Sequence, residues 1–151
     1  MRYINDKGLA VLKGEELLRL KAYKPLPTDR WTIGFGHAGS DVYEGMVITR
    51  EDADELLERD LQWAEECVDE ALPEPLISDD IFAALVLFTF NVGCQAFKTS
   101  HLLQYMQAGD PGKALDEFIK WHHSGGHDVA GLFKRRAAEA NLFVIPDEDN
   151  A

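Results

Sequence analysis

The chain has 151 residues, of which 46% are hydrophobic, enough to build one domain or two small lobes with a shared core and no metal or disulfide support. Its formal net charge of −12 counts against a nucleic-acid-binding protein, because such proteins neutralise phosphates with basic patches. The same charge excludes strong long-range attraction to an anionic partner, which must therefore be recognised through local contacts.

The N-terminal segment predicts a short helix and no membrane signal. Residues 1–14 hold charged residues and two glycines in place of an apolar signal-peptide core, and no stretch of about 18 apolar residues occurs in the chain. We therefore expect a protein that is cytosolic as made and does not insert into a membrane. Residues 5–15 are predicted to be helical, although Gly8 and Gly14 each cost about 1 kcal/mol relative to alanine.

An acidic residue, Glu16, lies where the sequence pattern changes from helical to extended. Leu9, Leu12 and Glu16 are spaced to share one helix face, so the leucines are expected to desolvate the carboxyl group and favour its neutral form. Two runs within residues 18–37 then alternate with a period of two, which predicts the strands of a β-hairpin. Between the runs lie turn-forming residues, which include Pro25, Pro27, Thr28 and Asp29.

A helix of about 20 residues is predicted to follow, from about residue 50 to residue 72. Thr49 and Asp52 form a capping-box pattern with Asp in place of Glu, and one helical stripe beyond them is apolar. Proline at position 73 ends the pattern. At 1.5 Å per residue, the helix would be about 30 Å long, which is enough to join two lobes.

The C-terminal half predicts a helical lobe around one central helix. Ser78 is placed to cap that helix, and residues 81–88 are apolar without a break, which indicates a buried position. Further helices are predicted after Ser100, over residues 112–123 and over residues from about 128 to 143. An acidic tail that we expect to be disordered ends the chain.

The cysteines and histidines do not indicate a metal site. Cys67 and Cys94 lack a CxxC pattern or histidine partners at ligand spacing, so we expect reduced thiols packed in the core, with a disulfide formed after release as the alternative. His122, His123 and His127 lie around two glycines without an acid or cysteine at ligand spacing, and we interpret them as solvated loop residues. No metal or cofactor is predicted.

Several motifs together resemble the phage-type lysozymes, the endolysin family that includes the T-even phage enzyme. They are R-L-K-A-Y after Glu16, W-T-I-G-F-G-H at residues 31–37, and then F-N-x-G, F-x-x-S, G-D-x-x-x-A, W-x-x-x-G-G and G-L-x-x-R-R-x-x-E. Each motif alone is weak, but their order and spacing over residues 5–143 are specific.

The resemblance implies a mainly α, α+β fold of the lysozyme-like two-lobe type, built as a single domain over residues 1–151. We expect a small N-terminal hairpin lobe at about 14–50, a long linking helix at about 50–72, and a helical C-terminal lobe at about 76–145 that the N-terminal helix joins. In such a fold the substrate cleft lies between the lobes.

The resemblance also implies a set of catalytic residues. Glu16, seven residues before Tyr23, matches the family's catalytic acid, and Thr32 opens the T-I-G-x-G-H run and would orient a water molecule. The family's second catalytic position, usually Asp or Cys, is Pro25 here, and the turn that follows is one residue longer. Asp29 is the only acid in that turn, so we expect it either to replace the missing acid or only to bond its own backbone.

Other matching positions carry further expectations. Phe90 and Ser100 match positions that line the saccharide cleft, although Phe90 is nearly as well explained as a core residue. Asp60 interrupts the apolar stripe of the long helix, and the family pattern suggests His37 as its partner, whereas the alternative is an aspartate that faces water. The basic run at residues 134–136 is interpreted as structural, with one arginine approaching the catalytic acid.

The implied activity is hydrolysis of the β-1,4 bond between N-acetylmuramic acid and N-acetylglucosamine in bacterial peptidoglycan, with Glu16 as general acid. We expect a monomer that acts on the wall from the host cytoplasm after a separate protein opens the membrane. Two alternatives remain. Glu16 alone could support a lytic transglycosylase, and Pro25 could mark an inactive relative that only binds saccharide.

Overall fold

The computed structural model describes residues 2–73 and 77–120, together with the backbone of residues 123–124 and 127–128. The elements are α1 (Asp6–Glu15), β1 (Arg19–Tyr23), β2 (Thr32–Gly34), β3 (His37–Ala38), α2 (Arg50–Ala71), α3 (Asp79–Val92), α4 (Cys94–Lys98), α5 (His101–Gln107), α6 (Pro111–Ile119), β4 (His123–Ser124) and β5 (His127–Asp128). The predicted mainly helical α+β fold class is confirmed. The predicted last helix beyond Asp128 and the acidic tail lie outside the described residues.

The chain divides into two compact units. We call Leu12–Trp63 the hairpin unit, and we call Met1–Val11 together with Ala64–Ala151 the helical unit. Helices α1 and α2 each contribute residues to both units.

The hairpin unit is built on a three-stranded antiparallel sheet in the order β1-β2-β3. Arg19 pairs with Gly34 and Tyr23 pairs with Thr32, and the change of register between these pairs marks an irregularity in β1. Strict alternation would bury Leu20 together with Ala22, but Leu20 is 41% exposed. A local irregularity of this kind breaks the period-two rule, which explains why the sequence pattern was wrong at this position.

One side of the sheet covers a small apolar core. Ala22, Ile33 and Val42 are its buried members, and the partly buried residues packed against them are Trp31, Met46, Ile48 and Leu56. The outer edge of β1 is also paired, since Ala22 N–H donates to the Met46 carbonyl and Ile48 N–H donates to the Leu20 carbonyl, each at 2.9 Å. Thr32 precedes the buried Ile33 in β2, so its side chain lies on the opposite side of the sheet from this core.

Helix α2 begins with the predicted capping box. The Thr49 N–H donates to Asp52 Oδ2 at 3.0 Å, and the Asp52 N–H donates to Thr49 Oγ1 at 3.1 Å. These bonds satisfy N–H groups that the first turn of a helix leaves unpaired. The prediction of this helix from the sequence is confirmed to within one residue at its C-terminal end.

The helical unit is organised around α3. Its residues from Ile81 to Thr89 are all buried, and the Ser78 hydroxyl accepts a hydrogen bond from the Ile81 N–H at 3.2 Å. Phe88 packs against Phe97 and Phe118 at ring-centroid distances of 6.4 and 5.5 Å. The continuous apolar run therefore forms the central buried helix that the sequence predicted.

Two features of the helical unit differ from the sequence-based prediction. Gly93, at φ +99°, ends α3 and is followed by the short helix α4, which the sequence did not indicate. Helix α6 ends at Ile119 rather than at residue 123, and His123–Ser124 pairs instead with His127–Asp128.

Cys67 and Cys94 form a disulfide, with their Cα atoms 6.0 Å apart, so the expectation of reduced thiols was wrong. The two residues are 27 positions apart. Cys94, the first residue of α4, reaches Cys67 of α2 only because of the course that the chain takes through α3. The sequence alone does not predict that course.

We expect reduction of this disulfide to lower the free energy of unfolding by about 2–4 kcal/mol, because the bridge restricts a long loop in the unfolded chain. Urea unfolding with and without dithiothreitol measures the effect. The double variant Cys67→Ala/Cys94→Ala is the control, since its midpoint should not respond to the reductant. An unchanged midpoint in the parent protein would contradict the expectation.

Candidate active site

Glu16 follows directly after α1 in the hairpin unit. Its N–H donates to the Leu12 carbonyl at 2.9 Å, so the last helical bond fixes the backbone from which the carboxyl group projects. Leu12 is only 1% exposed, and Glu16 itself is partly buried. The junction of helix and strand thus holds this acid in place.

The last turn of α1 is tied to its surroundings by Lys13. The Lys13 ammonium pairs with Asp54 Oδ1 of α2 at 2.9 Å and lies 5.6 Å from the centre of the Phe35 ring. Phe35 belongs to the turn between β2 and β3. The Glu16 backbone is therefore anchored to a helix and to a turn within the same unit.

The Glu16 carboxyl group lies against that turn. A Cβ atom at Gly36 would be 3.3 Å from Glu16 Oε2, which is closer than nine in ten observed contacts of this kind. Gly36 also has φ +87°, a conformation that favours glycine. The structure thus brings the T-I-G-F-G-H run to the predicted catalytic acid, and no sequence pattern predicts that the contact falls on Gly36.

Thr32 is buried in β2, where it pairs with Tyr23 on one side and with Ala38 on the other. Its hydroxyl donates to the Arg30 carbonyl at 3.1 Å. A hydroxyl group has one proton and two lone pairs, so this bond leaves Thr32 Oγ1 as an acceptor. An acceptor is what is needed to hold a proton of a water molecule.

Asp29 closes the turn between β1 and β2. Its Oδ2 atom accepts a hydrogen bond from the Leu26 N–H at 2.9 Å, and its own N–H donates to the Leu26 carbonyl at 2.9 Å. Its second carboxylate oxygen, Oδ1, accepts no hydrogen bond from the described residues. Asp29 therefore forms the turn contact that its residue type predicts and still keeps one oxygen for another role.

His37 connects β3 to two carboxylates. Its Nδ1 atom is 2.8 Å from Asp60 Oδ2, and its Nε2 atom is 3.0 Å from both oxygens of Asp41. The first contact is the pair that the family pattern suggested, and the second was missed. Asp41 lies four positions after His37, a spacing that brings side chains together on a helix. These two residues lie on a strand and in the loop beyond it, so the spacing did not predict their contact.

The two carboxylates change the protonation of His37. Partial burial alone would lower the pKa of His37, but the hydrogen bonds to Asp60 and Asp41 and their negative charges outweigh it and raise that pKa. The hydrogen bond from His37 also lowers the pKa of Asp41. The raised pKa therefore keeps His37 charged, beside both carboxylates, up to a higher pH than an ordinary histidine.

We expect Asp60→Asn to lower the free energy of unfolding by about 1–3 kcal/mol at pH 6, because it removes a charged partner of a largely buried imidazolium. The raised pKa of His37 means that its charge stabilises the fold fully below pH of about 6.5 and loses this effect as the pH rises through the folded-state value. The penalty should therefore shrink at pH 9.

Urea unfolding at pH 6 and pH 9 tests this expectation. Asp116→Asn, at an exposed position on α6, is the matched control and should cost less than about 0.5 kcal/mol. A similarly small cost for Asp60→Asn at pH 6 would mean that the contact with His37 does not stabilise the fold.

Phe90 and Ser100, the predicted saccharide contacts, both belong to the helical unit. Phe90 is partly buried near the end of α3. The buried Ser100 hydroxyl donates to the Phe97 carbonyl at 2.7 Å and accepts from the Leu103 N–H at 3.1 Å, which caps α5. The capping role accounts for Ser100 locally, and its contact with a saccharide stays a prediction.

The described part of the chain holds no group of three or more His, Cys, Asp or Glu side chains arranged to bind a metal ion. Within the same residues, no helix has the length and apolar character required to cross a bilayer. The side chains of the histidines around position 125 and the basic run at 134–136 lie outside the described residues.

The sequence and the structure are both similar to known proteins of one family. The phage lysozyme family pattern matches residues 13–139. The endolysin of Bacillus phage B103 is 45% identical over 97% of this chain and 56% of its own length, and the endolysin of Salmonella phage P22 is 37% identical over 95% of this chain and 99% of its own. The structure of the muramidase domain of SpmX from Asticaccaulis excentricus matches this one with a TM-score of 0.85 and a sequence identity of 36%. The match covers 97% of this chain and 100% of that domain. The chain thus spans about half the length of the B103 relative and nearly all of the P22 relative, and it belongs to the phage lysozyme family.

Proposed function

We propose that this protein is a muramidase of the endolysin type, which hydrolyses the β-1,4 bond between N-acetylmuramic acid and N-acetylglucosamine in bacterial peptidoglycan. The observation that carries the proposal is the position of the Glu16 carboxyl group against Gly36, within the T-I-G-F-G-H run of a phage lysozyme family member. Membership of the family supports the reaction, and the contact supports the choice of acid.

Glycoside hydrolysis requires a protonated carboxyl group beside the glycosidic oxygen and a second group for the attacking water. In our proposal Glu16 donates its proton to the leaving oxygen as the C–O bond breaks. Thr32 Oγ1 accepts one hydrogen of the water, and the free oxygen of Asp29 takes the proton that the water loses as its oxygen bonds to the sugar C1. The product then carries a muramic acid with a free reducing end.

Phe90 and Ser100 are proposed to contribute contacts to the saccharide. We further propose that the protein acts as a monomer, is made in the host cytoplasm, and reaches the wall after a separate protein has opened the membrane. The names of its endolysin relatives support the bacterial wall as the place of action.

Product analysis of digested walls tests the proposed reaction. Purified peptidoglycan is digested, the soluble fragments are reduced with borohydride, and their ends are identified by mass spectrometry. Reduced muramic acid ends support hydrolysis at the proposed bond. Anhydromuramic acid ends would instead identify a lytic transglycosylase, reduced glucosamine ends would identify a different cleaved bond, and binding without soluble fragments would identify an inactive saccharide-binding protein.

A further inference from the structure

One segment of the hairpin unit, residues 17–36, carries a local excess of positive charge in an acidic chain. Residues 17–36 contain four cations and a single acid, Asp29, whereas the whole chain has a net charge of −12. The four cations are Arg19, Lys21, Lys24 and Arg30, which we call the hairpin cations. All four are exposed.

The hairpin cations form no ion pair within the part of the chain that the structure describes. Five other described cations do pair with carboxylates, which are Arg2, Lys7, Lys13, Lys113 and Lys120, whereas Arg50, Arg59 and Lys98 do not. The hairpin cations differ from these last three because they are clustered in one segment with a single acid. An exposed cation without a partner in a chain with a large excess of acids is available to an anion from outside.

Two of the hairpin cations are ordered by aromatic rings. The Arg19 guanidinium lies 4.9 Å from the centre of the Tyr23 ring, and the Lys24 ammonium lies 5.1 Å from the centre of the Trp31 ring. Such contacts restrict long side chains, so less conformational entropy is lost when they bind an anion. Tyr23 also pairs with Thr32, which places the Arg19 contact beside a proposed catalytic residue.

We propose that the hairpin cations bind the free carboxylates of the peptide stems of peptidoglycan. The inference rests on the proposed function, and it names the part of the substrate that this surface recognises. The N-acetylated sugars of the glycan are uncharged apart from these stems, and every stem is attached to a muramic acid, next to the bond that is cut. Arg19 and Lys21 lie on β1, shortly after Glu16 in the chain, so a glycan strand that reaches Glu16 is expected to bring carboxylates near them.

The acidic remainder of the chain strengthens this assignment. A net charge of −12 repels an anionic wall, so the attraction must come from a local surface of opposite sign. Because the cations are exposed, each contact with a carboxylate is expected to be weak, and several are needed to affect binding.

The test compares charge-matched variants on peptidoglycan that has been freed of phosphate-containing polymers. Arg19→Gln/Lys21→Gln should raise KM about threefold to tenfold and leave kcat unchanged, which is the effect of losing two exposed charge contacts. Lys98→Gln/Lys120→Gln removes two exposed cations of the helical unit and is the control, with an unchanged KM. Arg19→Lys/Lys21→Arg keeps the charges and should retain the KM of the parent.

The second arm neutralises the substrate. Stem carboxylates are converted to amides with carbodiimide and ethanolamine, and the parent enzyme should then show the same rise in KM, while Arg19→Gln/Lys21→Gln should show no further rise. A double Gln variant that matches the control on untreated walls would overturn the inference, as would a KM effect that survives amidation or appears only on walls that retain phosphate polymers. If the parent enzyme releases no fragments from any wall, the proposed function fails instead.

Discussion

Glu16→Gln is expected to lower kcat on peptidoglycan by about 10²- to 10⁴-fold, the range typical of losing a general acid. The amide keeps the size and shape of the carboxyl group but has no proton to give to the leaving oxygen. The last helical bond of α1 uses the backbone of Glu16 and is kept in the variant, so a separate measurement of stability can distinguish a loss of catalysis from a loss of folding.

Release of soluble fragments from dye-labelled walls, measured at saturating substrate, gives kcat for this comparison, and urea unfolding gives the stability. Glu44→Gln makes the same chemical change at an exposed position of the hairpin unit and should retain full activity. A folded Glu16→Gln enzyme with more than about a tenth of the parent kcat would exclude Glu16 as the general acid.

Asp29→Asn should cause a loss of similar size, about 10²- to 10⁴-fold in kcat, if Asp29 is the second carboxylate of the reaction. An inverting hydrolase places its two carboxyl groups about 6.5–9.5 Å apart, with the water between them. Asparagine can still accept the hydrogen bond from the Leu26 N–H, so the turn should keep its stability. The substitution thus separates the charge of Asp29 from its role in the turn.

Asp29→Ala serves as the comparison, because it removes the turn contact as well and should lower stability by about 1 kcal/mol. A fully active Asp29→Asn enzyme would show that Asp29 only forms the turn. The attacking water would then depend on Thr32 alone, or a sugar hydroxyl would replace it, and the ends of the wall fragments would distinguish these two cases.

The features that the sequence predicted well depend on neighbouring residues. Thr49 and Asp52 are three positions apart and satisfy each other's backbone groups, so their pattern already contains the start of α2. The burial of the central helix could also be predicted from neighbouring residues, because a helix that is apolar on all sides is stable only in a buried position. The mainly helical α+β fold follows from such local signals together with the family motifs.

The features that the sequence did not predict depend on the path of the chain. The disulfide needs Cys67 and Cys94 to meet across a separation of 27 residues, and the second partner of His37 comes from a loop without a regular pattern. The irregularity in β1 likewise depends on its pairing with β2 rather than on its own residues. For the candidate site, the motifs predicted roles for Glu16 and Thr32, which stay predictions, and only the structure supplied the contact between Glu16 and Gly36.

Because of that contact, two glycines of the hairpin unit with similar backbones are expected to differ in how well they tolerate substitution. Gly36 and Gly45 have nearly the same backbone conformation, at φ +87° and φ +85°, yet only Gly36 has the Glu16 carboxyl group beside the position of a side chain. A non-glycine residue at Gly45 would have to accept only an unfavourable backbone, at about 1–2 kcal/mol. At Gly36 it would also force the Glu16 carboxyl group to shift by a few tenths of an ångström, so a substitution there is expected to disturb the proposed acid as well as the fold.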